Sequence, residues 1–324
     1  MNSELVKIPK IELHMHIDGS ISFSLLEKWS GLSHEEVFKE VVSQNDVSLE
    51  EYLEHFNFIN NYLQTKENLE LACYTLGREL ERENVIYAEA RFAPLIHTRE
   101  GLTPEEVIDS VLKGFSKCNV KVNLILCMIR GMDYSYNKTV IELAMKYLGK
   151  GVVAVDLAGG EAANPFKDYE ELFLECNKLG IPYTIHSGEV TKRDIKDVVL
   201  YTKRIGHGIK ICDDPELINL IKENNILLEV CPNSNLDTHN ATDYSHHPIK
   251  KLYDMGIKVS VNTDNRTVSN ICLTKEYEYL MHYLDFKIDD FYQMNLNAIQ
   301  YAFIGESEKE YLRKKLLEKK ESQM

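Results

Sequence analysis

Residues 85–129 read VIYAEARFAPLIHTREGLTPEEVIDSVLKGFSKCNVKVNLILCMI and contain one strand–helix–strand unit. Two apolar, β-branched runs, at 85–93 and 122–129, have the length and composition of buried strands. Between them, TPEEVIDSVLKGF has helical periodicity, and Thr103, Pro104 and Glu106 supply an N-cap, a first-turn proline and a capping box. This order of elements is typical of a βα unit in a parallel sheet.

The same alternation extends along the chain in both directions from this unit. We count eight candidate strands, separated by segments of helical periodicity such as DYEELFLECNKLG, which is expected to end at Gly180. Eight strands, each followed by a helix, favour a closed parallel (β/α)8 TIM barrel over a sandwich or a helical bundle. The candidate strands are 11–17, 85–93, 122–129, 152–158, 182–187, 204–207, 226–231 and 258–263.

The interval between the first two strands, about residues 20–84, is longer than one crossover needs. We therefore expect extra helices there, covering one end of the barrel. A charged helix, SEKEYLRKKLLEKK, is expected near the C-terminus. Because no internal repeat, low-complexity tract or Pro/Gly/Ser linker divides the sequence, residues 1–324 are predicted to form a single domain.

The composition disfavours several classes of function. A formal charge of −14 opposes binding to nucleic acid and to anionic membranes. The first residues contain no apolar signal-peptide core, and no stretch reaches 18 uninterrupted apolar residues, so we expect an unexported, cytoplasmic protein. Seven scattered cysteines without a C-x-x-C pair indicate reduced core residues instead of disulfides or a zinc–thiolate site. Nothing in the sequence points to an obligate protein partner.

Polar residues gather where the candidate strands end. In a parallel barrel, the carboxyl ends of the strands build the active site. His14 and His16 lie on the first strand, His186 ends the fifth, His207 ends the sixth, and Asp264 follows the eighth. We therefore expect these side chains to meet in one pocket.

Three imidazoles and a carboxylate form a ligand set that suits a divalent metal such as zinc. His14 and His16 are two apart on a strand and share a face. This pair alone is weak evidence for a metal site, since an H-x-H pair can occur by chance among 11 histidines in 324 residues. A histidine is more usually a packed or an exposed side chain than a metal ligand. His186 and Asp264, from two other strand ends, favour the metal. We predict one Zn²⁺ per chain, although iron, cobalt and nickel accept the same ligands.

Two further residues beside this set suit hydrolytic chemistry. Glu189, in HSGE, would move protons beside a metal that lowers the pKa of water; alone it would be a solvated surface residue. His207, in RIGHG, would otherwise be a turn histidine. The absence of H-E-x-x-H and P-C-x-x-C excludes the common helical metalloprotease and cytidine-deaminase signatures. No lysine ends the fourth strand in VAVDLAGG, which favours one metal over two.

Six segments, taken together, resemble the adenosine deaminase family of metal-dependent barrel hydrolases in order and spacing. They are PKIELHMHIDGS, YAEARFAP, VAVDLAGGE, HSGE, RIGHG and VNTDN, and the resemblance runs from about residue 8 to about residue 300. It implies an enzyme of purine salvage that deaminates adenosine, and also 2′-deoxyadenosine, to inosine and ammonia by adding a metal-activated water to C6.

The resemblance also implies a role for each matching residue. The zinc ligands of the family are matched by His14, His16, His186 and Asp264, and His16 also lies at the substrate. Glu189 matches the acid that protonates purine N1, and His207 matches the residue that orients the attacking water. Gly159 matches a backbone donor to N3, and Asp18 matches a contact of the ribose 5′-hydroxyl.

Asn265 is a departure from the animal enzymes of the family, in which a second aspartate faces N7, and it resembles the bacterial members. N7 is a hydrogen-bond acceptor. An aspartate can donate to N7 only when the carboxyl is protonated, whereas the asparagine amide is a donor at any ordinary pH. We therefore expect Asn265 to donate to N7.

The substrate remains more open than the reaction. Adenine deaminases and aminodeoxyfutalosine deaminases share the metal ligands, and a catalytically silent nucleoside-binding protein is an alternative of another class. In EYLEHFNFINNYL, helical spacing of Leu53, Phe56, Phe58 and Ile59 suits an apolar lid over the ribose, with ordinary packing against the barrel as the favoured alternative.

Overall fold

The computed structural model describes residues 3–43 and 49–321, without the side chains of residues 49–51 and 53. Strands form in all eight predicted regions, and their limits differ from the predicted ones by at most three residues. The strands are β1 (Lys10–His16), β2 (Val85–Phe92), β3 (Lys121–Ile129), β4 (Val152–Ala158), β5 (Ile185–Ser187), β6 (Arg204–His207), β7 (Leu227–Val230) and β8 (Lys258–Val261).

Parallel pairing joins the strands into two four-stranded sheets, in the orders β1-β2-β3-β4 and β5-β6-β7-β8. Single parallel bridges connect the two sheets at both edges, between Val155 and Tyr183 and between Met15 and Asp264. At the second edge the Asp264 N–H donates to the His14 carbonyl over 2.9 Å. The sheets therefore close into the predicted (β/α)8 barrel, and this closure brings the end of β8 beside β1.

The helices begin and end where the sequence signals predict. The Thr103 hydroxyl accepts from the Glu106 N–H (3.2 Å), while the Glu106 carboxylate accepts from the Thr103 N–H (3.0 Å). This capping box and Pro104 start the helix that follows β2. The helix after β4 ends at Gly180, whose φ of +69° is the left-handed conformation that glycine adopts without a steric penalty.

The described part of the long interval after β1 contains four helices, so the extra helices are present as expected, and a charged helix follows at the C-terminal end. In chain order the helices of the described residues are α1 (Ser3–Lys7), α2 (Phe23–Ser30), α3 (His34–Val41), α4 (Leu49–Tyr62), α5 (Lys66–Arg82), α6 (Pro104–Phe115), α7 (Tyr134–Tyr147), α8 (Glu170–Leu179), α9 (Ile195–Val198), α10 (Pro215–Glu223), α11 (Pro232–Asp237), α12 (Ile249–Asp254), α13 (Leu273–Leu284), α14 (Ile288–Tyr301) and α15 (Glu306–Glu321). Short 3₁₀ turns lie at Pro94–Thr98, Phe166–Tyr169, Ile209–Ile211 and Tyr244–His246.

Alternation along the strands separates the apolar core from the barrel interior. On β3, Leu124, Leu126 and Met128 are fully buried in the main hydrophobic cluster, whereas Cys127 lines a pocket at the end of the barrel. Burial of one such leucine contributes about 1.5–3 kcal/mol. Among residues 3–43 and 49–321, no helix is both long and apolar enough to span a bilayer.

Candidate active site

The carboxyl ends of the strands surround one pocket, and nearly all the predicted site residues line it. Only His14 lies beneath the pocket surface, where it is fully buried. The predicted residues that line it are His16, Asp18, Gly159, His186, Glu189, His207, Asp264 and Asn265. The closed barrel thus brings together residues that are far apart in sequence.

His14, His16 and His186 form one cluster at the base of this pocket, and Asp264 adjoins two of these histidines. His16 Nε2 lies 3.4 Å from His186 Nε2 and 3.5 Å from Asp264 Oδ1, and His14 Nε2 lies 3.6 Å from the same carboxylate oxygen. Ligand atoms at 2.0–2.1 Å from a tetrahedral zinc lie about 3.3 Å from one another. His14 Nε2 is buried without a protein partner. The geometry and the donor types therefore fit a single small divalent cation.

A buried carboxylate stands behind each of two of these histidines. His14 Nδ1 donates to Glu229 Oε2 over 2.9 Å, so the Nε2 lone pair is directed into the cluster. His186 Nδ1 lies 2.8 Å from Asp156 Oδ2. Partners of this kind orient metal-binding imidazoles in proteins. Glu229 and Asp156 were not among the site residues predicted from the sequence.

Two arginines hold these carboxylates ionised inside the barrel. Arg91 donates to Asp156 (2.7 Å) and to Glu229 (2.8 Å), and Arg204 donates to Glu229 through Nε (2.6 Å). Burial opposes ionisation, but Arg204 and Arg91 lower the pKa of Glu229 to about 2. His186 and Arg91 likewise hold the pKa of Asp156 well below its usual range against the effect of burial. The anionic form of both side chains is thereby secured.

Three histidines of the site, His14, His16 and His207, are kept neutral. Burial is the main cause, and nearby positive charge adds to it, so the pKa values of His14, His16 and His207 fall well below the ordinary histidine value. A neutral imidazole is the form that binds a metal, because the cation has no free lone pair.

His207 is fixed in one tautomer by a neighbour that sequence analysis missed. The Asn235 amide nitrogen lies 3.1 Å from His207 Nδ1, which must accept, and the Asn235 oxygen lies 3.3 Å from His247 Nε2, which must donate. The proton of His207 therefore resides on Nε2. That atom lies 3.6 Å from Glu189 Oε2 and 3.8 Å from Asp264 Oδ2.

The backbone at two strand ends adopts an uncommon conformation. His207 has a φ of +63° and Asp264 a φ of +58°, in the left-handed region that side chains usually avoid. Such conformations occur where a functional geometry is imposed by the surrounding structure. Here they turn both side chains toward the same pocket.

Cys231 is a second potential ligand, in a group with His14, His207 and Asp264. The two oxygens of Asp264 distinguish between the groups. Oδ1 faces His14 and His16, whereas Oδ2 accepts from the Ser234 hydroxyl over 2.6 Å and faces His207. The oxygen that faces His207 is thus already occupied by Ser234, which favours the predicted ligand set over this alternative.

Glu189 is buried at the pocket wall. Burial raises the pKa of its carboxyl well above the ordinary value, and the charges of Asp264 and Glu161 raise it further. The Thr238 hydroxyl lies 3.4 Å from Glu189 Oε1. Both effects favour the protonated form of Glu189, which is a hydrogen-bond donor to the pocket.

The wall of the pocket near β1 and β2 offers unpaired acceptors. Asp18 Oδ1 and Asn60 Oδ1 are buried without a protein partner, and both residues line the pocket. Burial raises the pKa of Asp18 to about 7. His97 Nε2 lies 3.9 Å from Asp18 Oδ2. Polar groups of a ligand would pair with these atoms, because buried polar atoms without partners are costly.

Helix α4 covers this side of the pocket. Phe56 lines it, as the lid hypothesis requires, but Ile59 lies in the hydrophobic core and Phe58 packs on Tyr62 with 5.4 Å between ring centroids. The side chain of Leu53 is outside the described part of the chain. The packing interpretation therefore applies to Phe58 and Ile59, and only Phe56 of the described lid residues faces the pocket.

Asn265 is oriented by its surroundings. Its Oδ1 atom abuts Gly19 so closely that a Cβ atom at Gly19 would lie 2.1 Å from it. The Tyr52 hydroxyl, which is 2.9 Å from Ser269 Oγ, also contacts the Asn265 side chain. Asn265 lines the pocket, and its Oδ1 atom is buried without a protein hydrogen-bond partner.

Comparison with known proteins places this geometry in a family. A sequence model described as adenosine deaminase matches residues 9–319. An adenosine deaminase of Clostridium perfringens is 42% identical over 325 residues, which cover 95% of this chain and 98% of that protein.

Solved structures show the same fold at lower identity. An adenine deaminase from Arthrobacter aurescens superposes with a TM-score of 0.85 at 23% identity, covering 96% of this chain and 98% of that one. An amidohydrolase from Burkholderia ambifaria with bound Zn gives a TM-score of 0.86 at 21% identity, with coverages of 97% and 90%.

Proposed function

This chain belongs to the adenosine deaminase family of metal-dependent hydrolases, and from that premise we propose that it converts adenosine and water to inosine and ammonia. The observation that carries the proposal is the single pocket in which the metal-type ligand set lies beside Glu189, Gly159 and Asn265. These three residues present donors from three sides, and a purine carries three ring-nitrogen acceptors.

These donors would form hydrogen bonds to the ring nitrogens along the edge of the purine. Glu189, kept protonated by burial, would donate to N1. Gly159, whose φ is +98° on the loop after β4, would present its N–H to N3, and the Asn265 amide would donate to N7. In this placement C6 lies nearest the histidine cluster, where the amino group must be displaced.

His14, His16, His186 and Asp264 would hold a zinc ion, which supplies a Lewis acid that activates water at neutral pH. His207 carries its proton on Nε2 and faces Glu189 and Asp264, so it is placed to orient the attacking water. Transfer of the Glu189 proton to N1 makes C6 more electrophilic. The amino group takes up a proton from the site and leaves as ammonia.

The sugar would lie on the β1–β3 side of the pocket. The three contacts to the base occupy the ends of β4, β5 and β8, which leaves the opposite wall for the substituent on N9. Asp18 is buried there with an unpaired oxygen, and a sugar hydroxyl would donate to it. This wall supports a purine nucleoside as the substrate over a free base.

A side-by-side assay tests the proposal. Metal-loaded protein would be given adenosine, 2′-deoxyadenosine, adenine and aminodeoxyfutalosine, and ammonia release would be measured for each. We expect the nucleosides to be deaminated with the highest kcat/KM. If adenine or aminodeoxyfutalosine had the highest kcat/KM, that compound would be assigned as the substrate instead of adenosine. If none of the four compounds were deaminated, the result would support a catalytically silent binding protein.

The role of Glu189 has its own test. We expect Glu189→Gln to lower kcat for adenosine by a factor of about 10² or more, because the amide is a poor proton donor to N1. The matched control is Glu171→Gln, an exposed glutamate on α8, which should behave as the parent. Undiminished turnover in Glu189→Gln would remove the proton-donor role.

A further inference from the structure

The Glu161 carboxylate, on the loop after β4, accepts hydrogen bonds from residues on both sides of Glu189. Its Oε1 accepts from the Gly188 N–H at 2.8 Å and the Ser187 hydroxyl at 3.4 Å. Its Oε2 accepts from the N–H groups of Val190 (3.1 Å) and Thr191 (3.4 Å). Glu161 is 2% exposed, so water hardly competes for these bonds.

The carbonyl side of the same loop is held from the opposite direction. The Gly208 N–H donates to the Ser187 carbonyl (3.1 Å), and the Lys210 N–H donates to the Gly188 carbonyl (2.9 Å). Gly188 itself has a φ of +74°, which makes the turn from β5 into the loop. The Ser187–Gly188 peptide is therefore fixed on both of its edges, by Glu161 and Gly208, and the carbonyl of the following peptide is held by Lys210.

Glu161 is itself fixed to the far end of this loop. Arg193 donates to the Glu161 carbonyl (2.9 Å) and to the Ala162 carbonyl (3.0 Å). Two residues before Glu161, Gly159 lines the pocket. The loops that carry Gly159 and Glu189 are consequently tied to each other by the side chain of Glu161 and by Arg193.

We propose that Glu161 is a positioning residue for deamination, which holds the 187–191 loop so that the Glu189 carboxyl faces the purine N1. This inference rests on the proposed function. It assigns to Glu161 no contact with the substrate; its effect on turnover passes through Glu189. A residue with a purely structural role would affect turnover whether or not Glu189 was intact.

Glu161→Gln is the discriminating substitution. A glutamine has one acceptor oxygen, so either Gly188 or the pair Val190 and Thr191 faces an NH₂ group instead. We expect kcat/KM for adenosine to fall at least tenfold in the otherwise unchanged protein. In the Glu189→Gln background the same substitution should change kcat/KM by less than threefold, because the group that it positions has been removed.

Glu83→Gln is the matched control, because Glu83 is another buried carboxylate but has no contact with the 187–191 loop. It accepts from the Thr274 N–H (3.0 Å) and from Arg266. Any loss that Glu83→Gln causes should be the same factor in both backgrounds. If Glu161→Gln does not fold, Glu161→Asp, which keeps the charge on a shorter side chain, would be measured in the parent and in the Glu189→Gln background instead.

Inhibitor binding gives a second readout. 1-Deazaadenosine has no N1, so its inhibition constant should differ by less than twofold between Glu161→Gln and the parent, and the metal content should be equal. Equal losses of kcat/KM in both backgrounds, or weakened binding of 1-deazaadenosine, would overturn the positioning role. Failure of the parent to deaminate adenosine would instead count against the proposed function.

Discussion

His14 Nδ1 lies 2.9 Å from Glu229 Oε2 in the interior of the barrel, where both side chains are fully buried. Glu229 also accepts from Arg91, from Arg204 and from the Thr184 hydroxyl (3.0 Å). One carboxylate thus fixes a predicted metal ligand and forms ion pairs with two buried arginines. Both functions depend on its negative charge.

Glu229→Gln should weaken metal binding by about 10- to 100-fold, as is typical when an outer partner of a ligating histidine is lost. The glutamine can no longer guarantee an acceptor for the His14 N–H, and it leaves Arg91 and Arg204 less compensated. Competition with a chromophoric chelator would measure the affinity. Glu276→Gln is the control, because Glu276 is equally buried but bonds to Asn233 and Tyr244. Unchanged affinity in Glu229→Gln would contradict the argument.

The strand pattern and the helix signals were sufficient to predict the barrel. Apolar runs mark strands that are covered by helices, and the capping box at Thr103 and the stop at Gly180 mark helix ends directly. The order of units then predicts closure, since parallel strands followed by helices close at eight. The extent of β5 was less predictable, because Tyr183 joins the barrel through a single bridge to Val155.

The pocket residues were predictable from strand ends, but the residues behind them were not. A signal did exist in Glu229 of ILLEVC and Asp156 of VAVDLA, since a charge within a buried apolar strand is costly unless it is paired. The identity of the partner, Arg91 for both, depends on the geometry of the closed barrel. Glu161 lies on a loop, where a glutamate is usually solvated, and carries no such signal.

Gly206→Ala should impair the site by displacing His14. A Cβ atom at this position would lie 2.9 Å from His14 Cε1, closer than real Cβ atoms come, and a tight 3.2 Å from His186 Cα. We expect at least tenfold weaker metal binding and a destabilisation of about 1–3 kcal/mol, as for other overpacked sites. Equilibrium dialysis and urea unfolding would measure the two effects.

The control for Gly206→Ala is Gly305→Ala. A Cβ atom at Gly305 would meet no heavy atom within 4 Å, so metal binding should equal that of the parent. If Gly206→Ala retained full metal affinity, the close approach of β6 to His14 would not be needed for the site.

Glu276 should make the protein less stable as the pH rises. Burial raises the pKa of this fully buried carboxyl to about 8, with smaller contributions from Asp237 and Glu12, while hydrogen bonds from Asn233 and Tyr244 oppose the shift. In the unfolded chain the same group titrates near its ordinary value of 4.5. Between these values the folded state binds a proton that the unfolded state releases, so the free energy of unfolding falls as pH increases.

Glu276→Gln should remove this dependence. Each pKa unit corresponds to about 1.4 kcal/mol, so the stability of the variant relative to the parent should rise by more than about 1 kcal/mol between pH 5 and pH 8. Urea unfolding at intervals across this range would measure it. Glu142→Gln, at an exposed position on α7, should follow the parent at every pH. A constant difference between Glu276→Gln and the parent would show that Glu276 does not retain its proton.

Asn265→Ala should lower kcat/KM for adenosine at least tenfold, which corresponds to about 1.4 kcal/mol of lost transition-state binding. Asn265 lines the pocket, and without its amide donor a substrate N7 would be buried without a partner. 7-Deazaadenosine has no N7, so its inhibition constant should change by less than twofold. Asn119→Ala, at an exposed position, is the control. A kcat/KM within twofold of the parent would mean that N7 is recognised by another group, because an unpaired buried acceptor costs more than that difference.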